Sequence, residues 1–141
     1  MVGNDIIEVE RISKAIQRYG QKFLNRLFTL NEQAYCLKHR DSDRHFAGRF
    51  AAKEAIAKAL GTGFNGSLSW LDIEISNDAS GKPVVQLSER AETIFLNPMI
   101  HLSISHCKDY ATAVALCFAD RDCNTTHSSK WRTVTAPKPR G

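Results

Sequence analysis

Three short segments of this sequence carry polar side chains that a plain hydrophobic core would not need. They are Gly3-Asn4-Asp5, the segment 50–58, and Ser103-Ile104-Ser105-His106. In a helix, Glu54 and Lys58 would lie one turn apart on one face, so a carboxylate and an ammonium group could address the same ligand. The same spacing is typical of a surface ion pair worth roughly a few tenths of a kcal/mol, and the spacing alone leaves both interpretations open.

Asp5 and Glu54 are candidate ligands of a divalent cation. Asp5 lies in an apolar stretch beside Gly3, where a buried carboxylate is costly without a partner. Magnesium takes only one or two protein carboxylates and completes its octahedron with water and phosphate oxygens, which suits two acids far apart in the sequence. The alternative for Asp5 is a helix N-cap.

Two further signals are weaker. Gly61-Thr62-Gly63 follows the segment 50–58, and glycines let backbone amides approach a phosphate closely. His106 follows a predicted strand, but the preceding serines lack the G-x-S-x-G context of a nucleophile. A structural role for His106 therefore stays open beside a catalytic one.

The elements that must position these residues are indicated by hydrophobic periodicity. Apolar residues at helical spacing predict a helix from about residue 9 to 19, ended by Gly20. Thr29 and Glu32 have the spacing of a capping box, which begins a second helix that runs to about His39. The segment 43–60 is the strongest helix signal, with a broad apolar face and Gly61 as its stop.

The strand signals follow this long helix. Leu71, Ile73 and Ile75 alternate with Asp72 and Glu74, as in a strand with one solvent-facing side. Further along the chain the sequence predicts a turn at 77–81, a hairpin strand at 84–87, a capped helix start at 88–92, and strands at 101–105 and 110–118. Helices and strands alternate without repeated βαβ units, so we predict an α+β fold with an antiparallel sheet packed against a long helix.

Composition indicates one domain followed by a polar tail. The chain has 141 residues, of which 43% are hydrophobic and 24% charged. Segment 120–141 holds five of the 19 Lys/Arg residues and two of the 15 acidic residues, so we expect a domain at 1–119 and a flexible basic tail. The pI near 9.0 alone would suggest nucleic acid. No apolar run approaches a membrane span and no signal-peptide layout begins the chain, so we expect a cytoplasmic protein without membrane or nucleic-acid partners.

The motifs together resemble a known superfamily. Gly3-x-Asp5, followed some fifty residues later by Phe50-x-x-Lys53-Glu54-Ala55-x-x-Lys58, is similar to the signature of the 4′-phosphopantetheinyl transferases. The strings RFAAKEAIAKALGTG, DIIEVERI, SGKP and SISH resemble its small acyl-carrier-protein synthase branch. The resemblance covers residues 3 to about 118. The branch usually has a few more residues before Gly-x-Asp, and the expected consequence of this short start is a weaker sheet edge.

The resemblance implies an enzyme that uses magnesium and coenzyme A. It implies transfer of 4′-phosphopantetheine to a serine of acyl carrier protein, release of adenosine 3′,5′-bisphosphate, and a homotrimer with coenzyme A bound between neighbouring subunits. Asp5 and Glu54 match the magnesium ligands, and Lys58 matches a lysine that contacts the pyrophosphate, which makes these three the expected catalytic residues. The other expected coenzyme A contacts are Arg49, Gly63, Lys82, Pro83 and His106.

A basic stripe along the first predicted helices is the expected docking surface for the carrier. Its members follow one another at steps of three or four residues: Arg11, Lys14, Arg18, Lys22 and Arg26. Acyl carrier proteins resemble strongly acidic helical bundles, so complementary charge would steer the encounter. A solvated helix face is the alternative for the whole stripe, and Lys22 and Arg26 lie past Gly20, where the chain is free to turn away.

Two other functions compete with this interpretation. One is a transferase of the same superfamily that modifies carrier domains of large synthases; its members are typically about twice this length. The other is a basic nucleic-acid-binding module, which the pI supports. That module is disfavoured because the sequence lacks interleaved aromatic residues and any zinc-finger, helix-turn-helix or RNP pattern.

Overall fold

The computed structural model describes residues 1–119, and the predicted tail at 120–141 lies outside the described residues. Within the described part, the helices are Val9–Tyr19 (α1), Gln21–Leu27 (α2), Leu30–Leu37 (α3), Ser42–Ala59 (α4) and Glu89–Ile94 (α5). The strands are Val2–Glu8 (β1), Ile73–Asn77 (β2), Pro83–Leu87 (β3), Met99–His106 (β4) and Tyr110–Phe118 (β5). The α+β class and the antiparallel pairing are confirmed.

The main sheet has three antiparallel strands in the order β1-β5-β4, and β2 and β3 form a separate hairpin. On the central strand, Ala113 lies opposite both Asp5 of β1 and Ile104 of β4. The face of β5 that includes Ala111, Ala113 and Ala115 is buried. These small side chains let α4 lie close against the sheet.

Helix α4 forms the centre of the core. Its buried side chains are mostly small or apolar: Phe46, Ala47, Ala51, Ala52, Ala55, Ile56, Ala57 and Ala59. Alanine has the highest helix propensity and leaves room for close packing on several sides, so this composition suits a helix enclosed by the sheet and by α1 and α3. Gly61, in the left-handed region at φ 77°, follows its end as predicted.

The shorter helices begin and end close to the predicted positions. Gly20, at φ 58°, separates α1 from α2. The Thr29 hydroxyl accepts a bond from the amide of Glu32, and the Glu32 carboxylate accepts one from the amide of Thr29. The predicted capping box of α3 is therefore confirmed.

One open alternative and one sequence prediction differ from the structure. Asp5 is not a helix N-cap, because it lies in the middle of β1, a strand that hydrophobic alternation did not predict. The strand predicted from Leu71 begins at Ile73, because Trp70–Asp72 forms a 3-10 turn. Asp72 is buried there rather than solvent-facing, since its carboxylate accepts bonds from the Ser69 amide and the Ser88 hydroxyl.

None of the helices in residues 1–119 is both long enough and apolar enough to cross a lipid bilayer.

Candidate active site

The contact between β1 and α4 depends on Gly3. A Cβ atom at this position would lie 2.1 Å from the carbonyl oxygen of Ala55 and 2.6 Å from the amide nitrogen of Ala59. Both are backbone atoms, which cannot move aside without shifting α4. Because side chains alternate along a strand, the same close approach directs Asp5, two residues later, towards α4.

We expect Gly3→Ala to lower the free energy of unfolding by about 2–3 kcal/mol, because β1 and α4 must separate to admit the methyl group. Urea unfolding followed by circular dichroism measures this loss. Gly66→Ala is the matched control, since a Cβ at Gly66 meets no atom within 4 Å. Equal midpoints for the two variants would contradict the close contact.

Asp5, Glu54 and Lys58 form a group that we call the carboxylate cluster. The Lys58 ammonium lies 2.9 Å from Asp5 Oδ1 and 3.0 Å from the carbonyl oxygen of Asn4. Lys58 therefore pairs across to β1 and not along its own helix with Glu54. Burial, followed by the nearby charge of Asp5, raises the pKa of Glu54, and Lys58 counteracts part of this rise.

The cluster offers two carboxylates to a cation. The described residues contain no group of three or more His, Cys, Asp or Glu side chains arranged to hold a metal ion. Two carboxylates with excess negative charge fit magnesium, which leaves most of its positions to water and phosphate oxygens. They do not fit a structural zinc site, which needs four protein ligands.

Lys53, the neighbour of Glu54 in the motif, is fully buried. Its ammonium lies 2.8 Å from Glu32 Oε2 and donates to the carbonyl oxygens of Leu27 and Trp70 at 2.7 Å and 2.9 Å. The other Glu32 oxygen accepts the amide of Ile75 at 3.0 Å. This buried ion pair ties α2, α3 and the β2 region to the middle of α4.

A second group of polar residues lines a cavity of about 190 Å³, which we call the arginine pocket. Its lining residues are Tyr35, His45, Gly48, Arg49, Asn77, Gly81, Pro83, Ile104 and His106. The predicted contacts Arg49, Pro83 and His106 therefore lie together. No sequence pattern singled out Tyr35, His45 or Asn77. The signal available for His45 was its position four residues before Arg49 on one helix.

Arg49 is held rigidly in this pocket. Its Nη2 donates to Asn77 Oδ1, and its guanidinium carbon lies 4.5 Å from the ring centre of Tyr35. Asn77 Nδ2 in turn donates to the carbonyl oxygen of Gly81 at 2.8 Å, which fixes the β2–β3 turn beside the arginine. The arginine is only 4% exposed, and its Nε has no hydrogen-bond partner among the described residues.

The carboxylate cluster and the arginine pocket lie on different sides of α4. At 100° per residue, Glu54 is about 140° and Lys58 about 180° around the helix from Arg49. Lys58 is also about 14 Å further along the axis. One ligand would reach both groups of a single chain only by passing around the helix.

Gly63 and Lys82 belong to neither group of side chains. The amide of Gly63 donates to the carbonyl oxygen of Ala57 at 3.3 Å and so closes the end of α4. Lys82 is exposed, at the turn that borders the arginine pocket through Gly81 and Pro83.

The basic stripe is divided at Gly20. Arg11, Lys14 and Arg18 are exposed on α1, and the Lys14 ammonium lies 3.0 Å from Glu10. Lys22 and Arg26 lie on α2, where they border a groove of about 520 Å³. The groove is otherwise lined by Tyr19, Phe23, Leu27 and Trp70. Cationic residues therefore flank an apolar floor.

Comparison with known proteins identifies the family of this chain. Residues 1–115 match the model of the 4′-phosphopantetheinyl transferase superfamily. The chain is 59% identical over 115 residues to a holo-[acyl-carrier-protein] synthase of Protochlamydia amoebophila, covering 82% of this chain and 94% of that protein. It is 50% identical over 118 residues to the synthase of Chlamydia pneumoniae, covering 84% and 96%.

Solved structures agree with this result. The holo-[acyl-carrier-protein] synthase of Helicobacter pylori, in complex with coenzyme A, has a TM-score of 0.77 and 38% identity, covering 84% of this chain and 100% of that chain. The Bacillus anthracis synthase, in complex with coenzyme A (3′,5′-ADP), has a TM-score of 0.73 and 40% identity, covering 84% and 95%. On these matches, and with Asp5 of the Gly3-x-Asp5 motif paired to Lys58 across β1 and α4, the chain belongs to the 4′-phosphopantetheinyl transferase superfamily.

Proposed function

We propose that this chain is a holo-[acyl-carrier-protein] synthase that transfers 4′-phosphopantetheine from coenzyme A to a serine of apo acyl carrier protein. The observation that carries the proposal is the carboxylate cluster, in which Asp5, Glu54 and Lys58 converge at the β1–α4 contact. The relatives named above are synthases of this kind, and two were solved with coenzyme A or its nucleotide part.

Asp5 and Glu54 would hold magnesium, which supplies positive charge to the pyrophosphate oxygens of coenzyme A. The serine oxygen of the carrier gives up its proton to a carboxylate of the site or to solvent as it attacks the β-phosphorus; a new P–O bond forms and the bond to the bridging oxygen breaks. Adenosine 3′,5′-bisphosphate leaves with the electron pair of that bond. Lys58, held beside Asp5, is placed to neutralise the charge that grows on the departing oxygen.

Release of adenosine 3′,5′-bisphosphate from coenzyme A, measured by chromatography with apo acyl carrier protein present, tests the proposal. We expect release that requires magnesium and the carrier serine and that matches the gain of mass on the carrier. A carrier domain from a large synthase, offered at the same concentration, separates the two transferase functions. No release with either carrier would contradict the proposal.

We propose further that the active form is a homotrimer with the co-substrate bound between neighbours. The outer face of the main sheet carries exposed apolar side chains on all three strands: Val2, Ile6, Met99, Tyr110, Val114, Leu116 and Phe118. A second copy of this chain covers such a face, because apolar patches of this extent typically mark association sites. Assembly would also bring the carboxylate cluster of one copy towards the arginine pocket of another, which a single α4 separates.

We expect Val114→Glu to yield a folded monomer with little transfer activity. Val114 is 43% exposed at the centre of the outer face, so a charge there costs little in a single copy but is buried on assembly. Analytical ultracentrifugation and the release assay measure both effects. Gln86→Glu, on an exposed position of β3, is the control and should leave mass and activity unchanged. A trimeric, active Val114→Glu protein would exclude this face as the interface.

We propose the basic stripe and the groove beside it as the surface that binds the carrier. In the double variant Arg11→Glu with Lys14→Glu, we expect the KM for carrier to rise about tenfold or more at low salt. The KM for coenzyme A should stay the same, and the salt dependence should flatten because fewer ion pairs form. The charge-preserving variant Arg11→Lys with Lys14→Arg is the control. Unchanged carrier kinetics in the charge-reversed protein would place docking elsewhere.

A further inference from the structure

Three histidines meet at the edge of the arginine pocket. The rings of His39 and His45 are stacked, with centroids 3.8 Å apart and planes inclined by 16°. The ring of His106 meets that of His45 edge to face at 5.3 Å. His45 and His106 line the cavity, whereas His39 lies behind them with its Nε2 buried and without a hydrogen-bond partner among the described residues.

The pocket lacks the negative charge that its arginine requires. A guanidinium carries a positive charge that, when buried, is normally paired with a carboxylate or phosphate. In residues 1–119 no acidic side chain lies within ion-pair distance of it, and its partners are the neutral Asn77 and the Tyr35 ring. Arg49 lines the cavity without an acidic partner among residues 1–119, so the cavity fits an anion.

We propose that His45 is an additional phosphate-binding residue of this pocket, which takes up a proton when the phosphomonoester of coenzyme A binds between it, Arg49 and His106. This inference rests on the proposed function, because it takes coenzyme A as the ligand. It makes the affinity for the co-substrate depend on pH near neutrality. The role of His45 is inferred from its place in the pocket, and this residue was not among those matched to the superfamily signature.

The surroundings of His45 favour its neutral form before a ligand binds. Burial is the main cause of a lowered pKa for His45, and the charges of His39, His106 and Arg49 act in the same direction. Asp41 opposes them, with Oδ1 3.7 Å from His45 Nε2. The Tyr35 ring faces the His45 ring edge to face at 5.9 Å.

An entering phosphomonoester reverses this balance. It carries about 1.5 to 2 negative charges at neutral pH, because its second pKa is about 6. Those charges favour the protonated imidazole, and His45 gains a proton as the complex forms. Binding should therefore weaken as the pH rises above neutrality, since fewer protons are available for this step.

The phosphomonoester fits the pocket better than the pyrophosphate does. The pyrophosphate is the reacting group and is assigned to the carboxylate cluster, on the opposite side of α4. Neither phosphate group of the pyrophosphate has a second ionisation near neutral pH, whereas the phosphomonoester on the ribose of coenzyme A has one. Coenzyme A and 3′-dephospho-coenzyme A, which lacks the monoester, therefore separate the two sources of phosphate.

Isothermal titration calorimetry of the full chain with coenzyme A, in two buffers of different ionisation enthalpy, measures the proton uptake. For the wild type at about pH 6.5 we expect net uptake, which His45→Phe should reduce by about half or more. The Kd of the variant should rise about tenfold at pH 6.5 and much less at about pH 8.5. Phe preserves the stacked ring, so loss of packing is not expected.

His39→Phe is the matched control, because it removes the other imidazole of the stack and leaves His45 in the pocket. Its proton uptake should stay close to that of the wild type, since His45 keeps its place beside Arg49 and His106. For 3′-dephospho-coenzyme A, the wild type and His45→Phe should bind alike. Unchanged uptake in His45→Phe, or an equal loss of affinity for 3′-dephospho-coenzyme A, would overturn the assignment of His45.

The release assay separates this inference from the function itself. Wild-type protein that transfers phosphopantetheine while His45→Phe keeps full proton uptake would refute the role of His45 alone. Wild-type protein that neither binds coenzyme A nor releases adenosine 3′,5′-bisphosphate would overturn the proposed function, and the inference with it.

Discussion

Asp5→Asn and Glu54→Gln are each expected to reduce phosphopantetheine transfer by on the order of a thousandfold or more while the fold stays intact. Each change removes one of two charged cation ligands and leaves an amide of nearly the same shape. With one carboxylate lost, the remaining site binds magnesium weakly, and the charge of the pyrophosphate stays uncompensated. Initial rates of adenosine 3′,5′-bisphosphate release, measured over a wide range of magnesium concentrations, give the effect.

Stability provides the internal control for this result. Burial and the charge of Asp5 disfavour the ionised form of Glu54, so Glu54→Gln removes an unfavourable interaction and should not lower the unfolding midpoint. Glu89→Gln, at an exposed position of α5, should change neither activity nor midpoint. Near-normal turnover of Asp5→Asn or Glu54→Gln at an ordinary magnesium concentration would show that the carboxylate cluster does not bind the cation.

The contribution of Lys58 can be separated from that of the carboxylates. Lys58 contacts Asp5 in the free protein, which keeps its ammonium beside the proposed cation site. We expect it to act mainly on the charge that grows during the reaction. We therefore expect loss of the Lys58 side chain to lower turnover strongly and to weaken coenzyme A binding less.

Local signals were enough to predict much of the fold and part of the site. Helix α4 and the capping box of Thr29 and Glu32 depend on residues three or four positions apart, and both lie where the periodicity placed them. The motif around Glu54 and Lys58 was likewise visible as spacing on one helix. What the sequence could not show is that Lys58 pairs with Asp5, because this contact joins residues 53 positions apart.

The features that were missed all depend on distant partners. Strand β1 has no clear alternation, and Gly3 lies there because α4 crosses it, not because the local sequence favours a strand. Asp72 was predicted on the solvent-facing side of a strand, because hydrophobic alternation does not reveal its hydrogen bonds with Ser69 and Ser88. The pocket position of His45 likewise follows from β4 packing beside α4, since His106 comes from the far end of the sequence.

The largest loss of stability is expected for Glu32→Gln, at about 3–5 kcal/mol near pH 7. The amide keeps the shape of the carboxylate but leaves the fully buried Lys53 ammonium without its counter-charge. The carbonyl oxygens of Leu27 and Trp70 still accept hydrogen bonds from Lys53. Glutamine has one acceptor oxygen where the carboxylate has two, so the amide of Ile75 or that of Thr29 also loses its acceptor. Urea unfolding gives the free energy of unfolding, and Glu89→Gln, an exposed change of the same type, is the control.

The dependence of this loss on pH identifies its cause. Burial lowers the pKa of Lys53 already in the wild type, and Glu32 opposes this effect, so Glu32→Gln should lower the pKa further. The folded variant then binds fewer protons than the unfolded chain, whose lysine titrates near its ordinary value of about 10.4. Its stability should therefore rise with pH up to that value, and the deficit against the wild type should be smaller at about pH 9.5 than at about pH 7. A deficit below about 1 kcal/mol, or one that does not change with pH, would show that Lys53 and Glu32 do not form a buried charged pair.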